Sequence, residues 1–436
     1  MQSALAQDVR LSILPPICPR TVEETGLSPS FLVELVSKQL YDGGAMTLAA
    51  LSERLALPMS VAGDIANFLR KERLAEIRKG GDVRASYVFA LTDLGRERAR
   101  EFLQASGYIG PAPVTLERYA DTCRKQSVRK MAVTAEKMAK RFEGIVLPPG
   151  MLDRLGPAMN SGRSLFLYGP PGSGKTFIAE RLSGILDEHI FIPYAVSVEG
   201  HVIRIFDPVN HRSFDVGGSL DSVGELLEGG PRYDRRFALC ERPVVIAGGE
   251  LTLGMLDLNY DPLARYYEAP LQLKANGGIF LIDDLGRQMV RPFDLFNRWI
   301  IPLEKGCDYL TLQTGKKFEI PFDQIVIFST NIEPRDLADE AFLRRLGYKI
   351  RIGYISPSEY VSICRQVCRQ LGLEFRPEAI RHLIEKEHAA RKIPLAACHP
   401  KDVLSRVVEI CRYRGIHPRL DEDLVAQACR DYFMEI

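Results

Sequence analysis

Between Ser28 and Leu103 the apolar positions keep helical spacing, then alternate, then return to helical spacing. Phe31, Leu32, Leu35, Val36 and Leu40 fall on one helical face. Thr47 caps a short helix that stops near Pro58, and the next helix directs Val61, Ile65, Phe68 and Leu69 inward. The stretch LAEIRKGGDVRASYVFALTDLGRERAREFL then reads as strand, Gly80–Gly81 turn, strand and capped helix.

From Gly144 to Gly353 short apolar runs alternate with helical segments, which predicts a parallel sheet covered on both faces. Beyond it, Tyr354 to Ile436 reads as helical throughout, opening on a capping box of Ser356, Pro357 and Glu359. Turn formers from Gly107 to Pro113 mark a boundary. The chain therefore divides into an extension over 1–27, an α+β unit over 28–106, a linker and basic helical segment over 107–143, an α/β core over 144–353 and a helical tail over 354–436. Inside the core, 198–276 is longer than the alternation needs, and a long insertion is usually functional. Within it HVIRIFDPVNHRSFDV reads as a hairpin on DPVN, and ERPVVIAGGELTL as a strand pair around Gly248–Gly249. A further hairpin spans 308–321, with Lys316 and Lys317 at its tip. Tyr260, Tyr266 and Tyr267 form a buried cluster under the insertion.

The formal net charge of +1 over 436 residues excludes a general polyanion binder, so nucleic-acid contact would need a local patch. The basic run of Arg118, Arg124, Lys125, Arg129, Lys130, Lys137, Lys140 and Arg141 is first a solvated helical face, second such a patch. Nine scattered cysteines do not form a complete disulfide framework, and Cys364 and Cys368 read as a buried helical stripe. With no signal-peptide pattern and no apolar run long enough to span a bilayer, the expectation is a cytoplasmic protein without membrane insertion.

Chemistry concentrates in two places. SLFLYGPPGSGKTFIAERL sets an apolar strand, Leu165 to Tyr168, before GPPGSGKT and a helix after it. That is the context of a phosphate-binding P-loop formed by Gly169, Pro170, Pro171, Gly172, Ser173, Gly174, Lys175, Thr176 and Phe177. Backbone N–H groups approach phosphate oxygens where no Cβ intervenes, Lys175 reaches the β- and γ-phosphates, and the Thr176 hydroxyl ligates Mg²⁺. The second place is GGIFLIDDLGRQ, an apolar strand that runs into Asp283 and Asp284. Carboxylates at a buried strand end need a compensating group. A P-loop enzyme supplies one, with Asp283 holding Mg²⁺ and Asp284 polarising the attacking water.

Downstream, QIVIFSTNIEP ends an apolar strand at Asn331, DEAFLRRLGYKIRIG carries Arg344 and Arg345, and CHPKDVLSRVVEICRYRG sets Lys401 at a helix start. In this order the region from Gly144 resembles an AAA+ ATPase: Walker A, Walker B, sensor 1, arginine finger and a helical lid with sensor 2. The resemblance implies a P-loop NTPase parallel sheet with a helical lid, and ATP with Mg²⁺ as ligands. It places Asn331 at sensor 1 and Lys401 at sensor 2, and makes Arg345, with Arg344 as second choice, the arginine inserted into a neighbouring subunit. The 308–321 hairpin resembles the pre-sensor 1 insertion of MoxR-like, chelatase and branch-migration ATPases. The 28–106 unit resembles a winged-helix domain. Two departures stand out: the Walker B pair is Asp-Asp instead of Asp-Glu, and sensor 2 is Lys instead of Arg.

The function so implied is Mg-dependent ATP hydrolysis at the subunit interfaces of a homo-oligomeric ring, a hexamer, that remodels a macromolecular client. A protein client is favoured over DNA, because Asp64 would face phosphates on the helix meant to read them. A DNA-directed helicase, loader or regulator is the alternative, and a small-molecule kinase the lesser one.

Overall fold

The apolar four-residue runs become the centre of a five-stranded parallel sheet in this computed structural model, which describes residues 15–80, 84–214, 233–337 and 339–433. Its strands are β1 (Leu165–Tyr168), β2 (Val244–Ala247), β3 (Ile279–Ile282), β4 (Ile325–Thr330) and β5 (Tyr348–Arg351), in the spatial order β2-β3-β4-β1-β5. Every side chain of β3 and β4 is buried, as continuous apolar runs in a sheet covered on both faces require. One face carries Ile279, Leu281, Ile325 and Ile327 against the helix Met151–Asn160 and the helix after β1. The other carries Phe280, Phe328 and Phe166 against Trp299 of the helix Pro292–Lys305. Parallel pairing puts the C-terminal ends of β1, β3 and β4 side by side, where ligands of open α/β sheets bind.

The helical tail closes as expected. Ser356 accepts from the Glu359 N–H while the Glu359 carboxylate accepts from the Ser356 N–H, and the helix Pro357–Leu371 buries Cys364 and Cys368. At the other end of the chain, helices Pro29–Gly43, Leu48–Leu55, Met59–Lys71 and Asp93–Ala105 surround a three-stranded sheet. Thr47 caps the second of these helices by accepting from the Ala50 N–H. Gly81 of the expected turn lies outside the described residues. Phe68 departs from expectation, being 46% exposed. Val61, Ile65 and Leu69 with Ala62 and Ala66 complete the inward stripe, and Phe68 sits at its edge.

The 107–143 segment holds the helices Leu116–Lys125 and Ala135–Arg141 and packs into the fold. Val114–Thr115 adds a strand to a second five-stranded sheet, and Tyr119 and Cys123 enter its core. Of the basic run, Arg124 and Lys125 are exposed and pair with Asp121, whereas Arg118 is half-buried and pairs with buried Asp234 at 3.2 Å. That sheet continues through Ala195–Val198, His201–Arg204, Tyr266–Glu268 and Asn259–Asp261.

The insertion differs from expectation in two ways. Val244–Ala247 is the second core strand, pairing in parallel with β3, and is not half of a hairpin at Gly248–Gly249. A four-residue apolar run reads alike in a hairpin and in a buried core strand. The hairpin that forms joins Ala195–Val198 to His201–Arg204 through Glu199 and Gly200, both at positive φ, while DPVN is only a turn. The 308–321 hairpin forms as Cys307–Thr311 against Lys317–Pro321 and packs on this sheet, with Lys316 paired to Glu199 at 2.6 Å. Tyr267 is buried as foreseen, whereas Tyr260 and Tyr266 are half-buried around it.

Arg236 fastens the pieces together. It is fully buried, donating to the Thr25 and Pro113 carbonyls at 3.0 and 3.1 Å and pairing with buried Asp234 at 2.9 Å. A guanidinium can bridge two segments and a carboxylate because its donors form a fixed fork.

Candidate active site

The turn after β1 winds onto the helix Lys175–Ser183 through Gly174 at φ 92°. Gly169 must be glycine: its φ is 143°, and a Cβ there would meet the Ile352 carbonyl oxygen at 2.0 Å. The Lys175 side chain folds back over the loop, and its Nζ donates to the Gly169 and Pro170 carbonyls at 3.0 and 2.9 Å. Burial lowers the Lys175 pKa, while the carboxylates of Asp284 and Asp283 act the other way. The Lys175 Nζ also donates to Asn331 Oδ1 at 2.7 Å. β4 lies between β1 and β3, so the tip of β4 brings Asn331 between the P-loop and the carboxylates.

Thr176 Oγ1 lies 2.9 Å from both oxygens of Asp283. A hydroxyl and a carboxylate at that separation are hard oxygen donors of the kind Mg²⁺ takes, with substrate oxygens and water completing its shell. Among the described residues no group of three His, Cys, Asp or Glu side chains forms a metal cage, so a protein-only site of the zinc type is not offered there.

Asp284 is exposed and holds φ at 48°, in the left-handed region. The turn it starts is pinned on all sides. Leu285 N–H donates to Ser329 O at 2.8 Å, and Thr330 Oγ1 donates to Leu285 O at 2.6 Å. Gln288 receives the Gly286 N–H at 2.8 Å and donates to the Asp283 carbonyl at 2.7 Å.

A cleft of about 880 Å³ runs over this constellation. Pro171 through Phe177, Asp284, Asn331 and Lys401 all line it, bringing together the sequence candidates from the P-loop, β3, β4 and the tail. The tail touches the loop directly: Cys398 N–H donates to the Gly172 carbonyl at 3.1 Å. Sequence reasoning missed the far wall, made by Ile145, Val146 and Leu147 on one side and Ile363 and Val367 of the tail on the other. The apolar run before Pro148 was the available signal. It also missed Arg287, four residues beyond Asp283.

Arg344 and Arg345 do not line the cleft. Arg345 Nε pairs with Glu304 at 3.1 Å and its side chain is 31% exposed. Arg344 is 81% exposed, with Glu340 at 3.5 Å along its own helix. The sequence ordered Arg345 first; these exposures favour Arg344 as the group able to reach another molecule.

Known proteins are similar to this chain either over short stretches or only loosely. Residues 155–196, which hold the P-loop, match the family "Magnesium chelatase, subunit ChlI", and residues 356–431 match a "Domain of unknown function (DUF8689)". Vesicular-fusion protein sec18 of Schizosaccharomyces pombe is 42% identical over 48 residues, 11% of this chain and 6% of that protein. Among solved structures, NtrX from Brucella abortus in complex with ADP is 15% identical at a TM-score of 0.37, covering 66% of this chain and 56% of that one. A point mutant of Thermotoga maritima RuvB is 13% identical at a TM-score of 0.35, covering 70% of this chain and 71% of that one. Superpositions this loose leave the weight on the strand order and the site geometry. On that geometry, the chain carries a P-loop set in a parallel α/β sheet, and around the P-loop it is similar to the magnesium chelatase family.

Proposed function

We propose that this protein hydrolyses ATP with Mg²⁺ as a ring-forming AAA+ ATPase, a hexamer, and uses the cycle to remodel a macromolecular client. The observation that carries the reading is the convergence of Lys175, Thr176 with Asp283, Asp284 and Asn331 at three adjacent strand ends under the Lys401 segment. The loop N–H groups and Lys175 bind and orient the phosphates. Thr176 and Asp283 would hold Mg²⁺, which when bound neutralises charge on the phosphate oxygens. Exposed Asp284 accepts a proton of the attacking water and aims its oxygen, and Asn331 fixes that water or the terminal phosphate. The apolar wall of Val146, Leu147, Ile363 and Val367 suits a base. Lys401, on the tail, adds a point charge that registers whether the tail is closed.

A neighbouring subunit's Arg344, with Arg345 beside it, would complete the site. The client is a protein in preference to DNA. On the outward face of Met59–Lys71, Asp64 stands beside exposed Phe68, a pairing that repels phosphate and offers apolar area. Among the described residues no helix is long and apolar enough to cross a membrane. Phosphate release measured with and without Mg²⁺, alongside particle mass with and without ATP, tests the reading. No Mg-dependent release from the wild type, with Lys175→Ala indistinguishable from it, would overturn it.

A further inference from the structure

We propose that Arg287 is a cis-acting cation for the terminal phosphate of the bound nucleoside triphosphate, an inference that rests on the ATP reading above. Arg287 lines the cleft together with Lys175, Thr176, Asp284 and Asn331. Its place is the phosphate end. Asp284 is close enough to Lys175 for its carboxylate to act on that ammonium, and Arg287 N–H donates to the Asp284 carbonyl at 3.0 Å, closing one tight turn.

The turn gives the side chain a fixed base. The Gln288 staple and the Leu285 contacts to β4 hold its backbone, and Met289 N–H donates to Gly249 O at 3.1 Å on the far side. Among the described residues no hydrogen bond or ion pair engages the Arg287 guanidinium. The other arginine lining the cleft, Arg181, lies over the Phe177 ring, and Arg291, four residues on in sequence, pairs with Asp294.

The electrostatic need is specific. Asp283 and Asp284 bring two carboxylates to a site that must hold a polyanion, while the Lys175 ammonium already serves two carbonyls and Asn331. A forked guanidinium set on a rigid turn beside Asp284 offsets that charge and meets phosphate oxygens two at a time. Because the contact is to the terminal group, it separates triphosphate from diphosphate.

Fluorescent ATP and ADP are titrated, each with Mg²⁺, into wild type, Arg287→Ala and Arg287→Lys of the full chain. Arg287→Ala should lose about ten- to a hundredfold in ATP affinity, as expected for one charge-assisted contact, with ADP affinity within about twofold of wild type. Arg287→Lys should fall between, keeping the charge and losing the fork. Thermal unfolding should not move, since no partner within the chain is lost. Equal weakening of ATP and ADP, or altered particle mass with an unchanged ATP-to-ADP ratio, would overturn the assignment while leaving the ATP site standing. Failure of the wild type to bind ATP would overturn both.

Discussion

The ammonium of Lys175 lies 2.7 Å from Oδ1 of Asn331, a contact between residues 156 positions apart that ties the P-loop to the tip of β4. Because β4 separates the P-loop strand from the carboxylate strand, this contact bridges the gap between the P-loop lysine and the end of the sheet that carries Asp283 and Asp284. Lys175→Ala removes the cation and frees Asn331 at once. ATP affinity should fall by more than about a hundredfold, since several charge-assisted contacts are lost together. Wild-type affinity in a nucleotide titration would remove Lys175 from the site.

Asp284 should matter for turnover more than for binding. Asp284→Asn keeps a residue that tolerates left-handed backbone and loses the charge that polarises water. Bound ATP should persist through many wild-type turnovers, with the single-turnover rate down by roughly 10²-fold or more. Asp283→Asn should instead raise the Mg²⁺ concentration needed for half-maximal rate, because Thr176 and Asp283 share one donor pair. Rapid-quench assays across a Mg²⁺ series separate the two; identical Mg²⁺ profiles would merge their roles.

The same backbone angle gives the Asp-Asp pair a physical reason. At φ 48° Asp is accommodated more readily than the longer Glu, because its short carboxylate can bond locally in the left-handed region. Asp284→Glu should therefore cost about 1 kcal/mol of local stability, as strained αL backbone does, and not simply restore a longer reach.

Acid should loosen the tail. His388 is buried, its Nε2 facing the Tyr360 hydroxyl at 2.9 Å and its Nδ1 the Ile393 carbonyl at 3.1 Å. Neutral imidazole meets both, donating from Nδ1 and accepting at Nε2. Burial pushes the His388 pKa down, and burial with neighbouring His388 pushes His399 down to about 4, against the pull of Asp402. Both groups bind protons more readily unfolded, near pH 6.5, than folded. The stability they secure is complete above that value and is lost as pH falls toward 4, by about 1–2 kcal/mol at pH 5 for His399. Hydrogen-exchange protection of the helix His399–Tyr413, corrected for intrinsic rates, should drop between pH 7 and pH 5 and drop less in His399→Gln. Constant protection would refute the assignment.

What the sequence discloses and what it hides follow from the range of the interactions. The P-loop, β3, the Ser356 cap and the cysteine stripe are local patterns in which spacing alone dictates the partner. The second core strand escapes such reading because VVIA carries no mark distinguishing a neighbour in parallel from one across a turn. Phe68 escapes it because an apolar residue at a stripe's edge can face either way. Arg236 is invisible in sequence, since its partners Thr25 and Pro113 lie 211 and 123 residues away. The cleft's apolar wall joins residues from both sides of the core, so only folding brings it together.

The arginine pair tests assembly and chemistry together. Neither side chain lines its own cleft, and Arg344 projects from the surface while Arg345 is held by Glu304. An arginine that stabilises charge on a transferred phosphoryl group is worth roughly 10³–10⁵ in rate. Arg344→Ala should bind ATP with wild-type affinity and hydrolyse it slower by that order. Arg345→Ala should cost less if Glu304 makes it the anchor of the pair. Mixing Arg344→Ala with Lys175→Ala should restore part of the activity, because an intact arginine on one subunit can then serve an intact P-loop on the next. A site acting alone could not gain from such mixing. Should the two variants co-assemble, shown by mass, and yet release no more phosphate together than apart, the arginine's role across a subunit interface would be overturned.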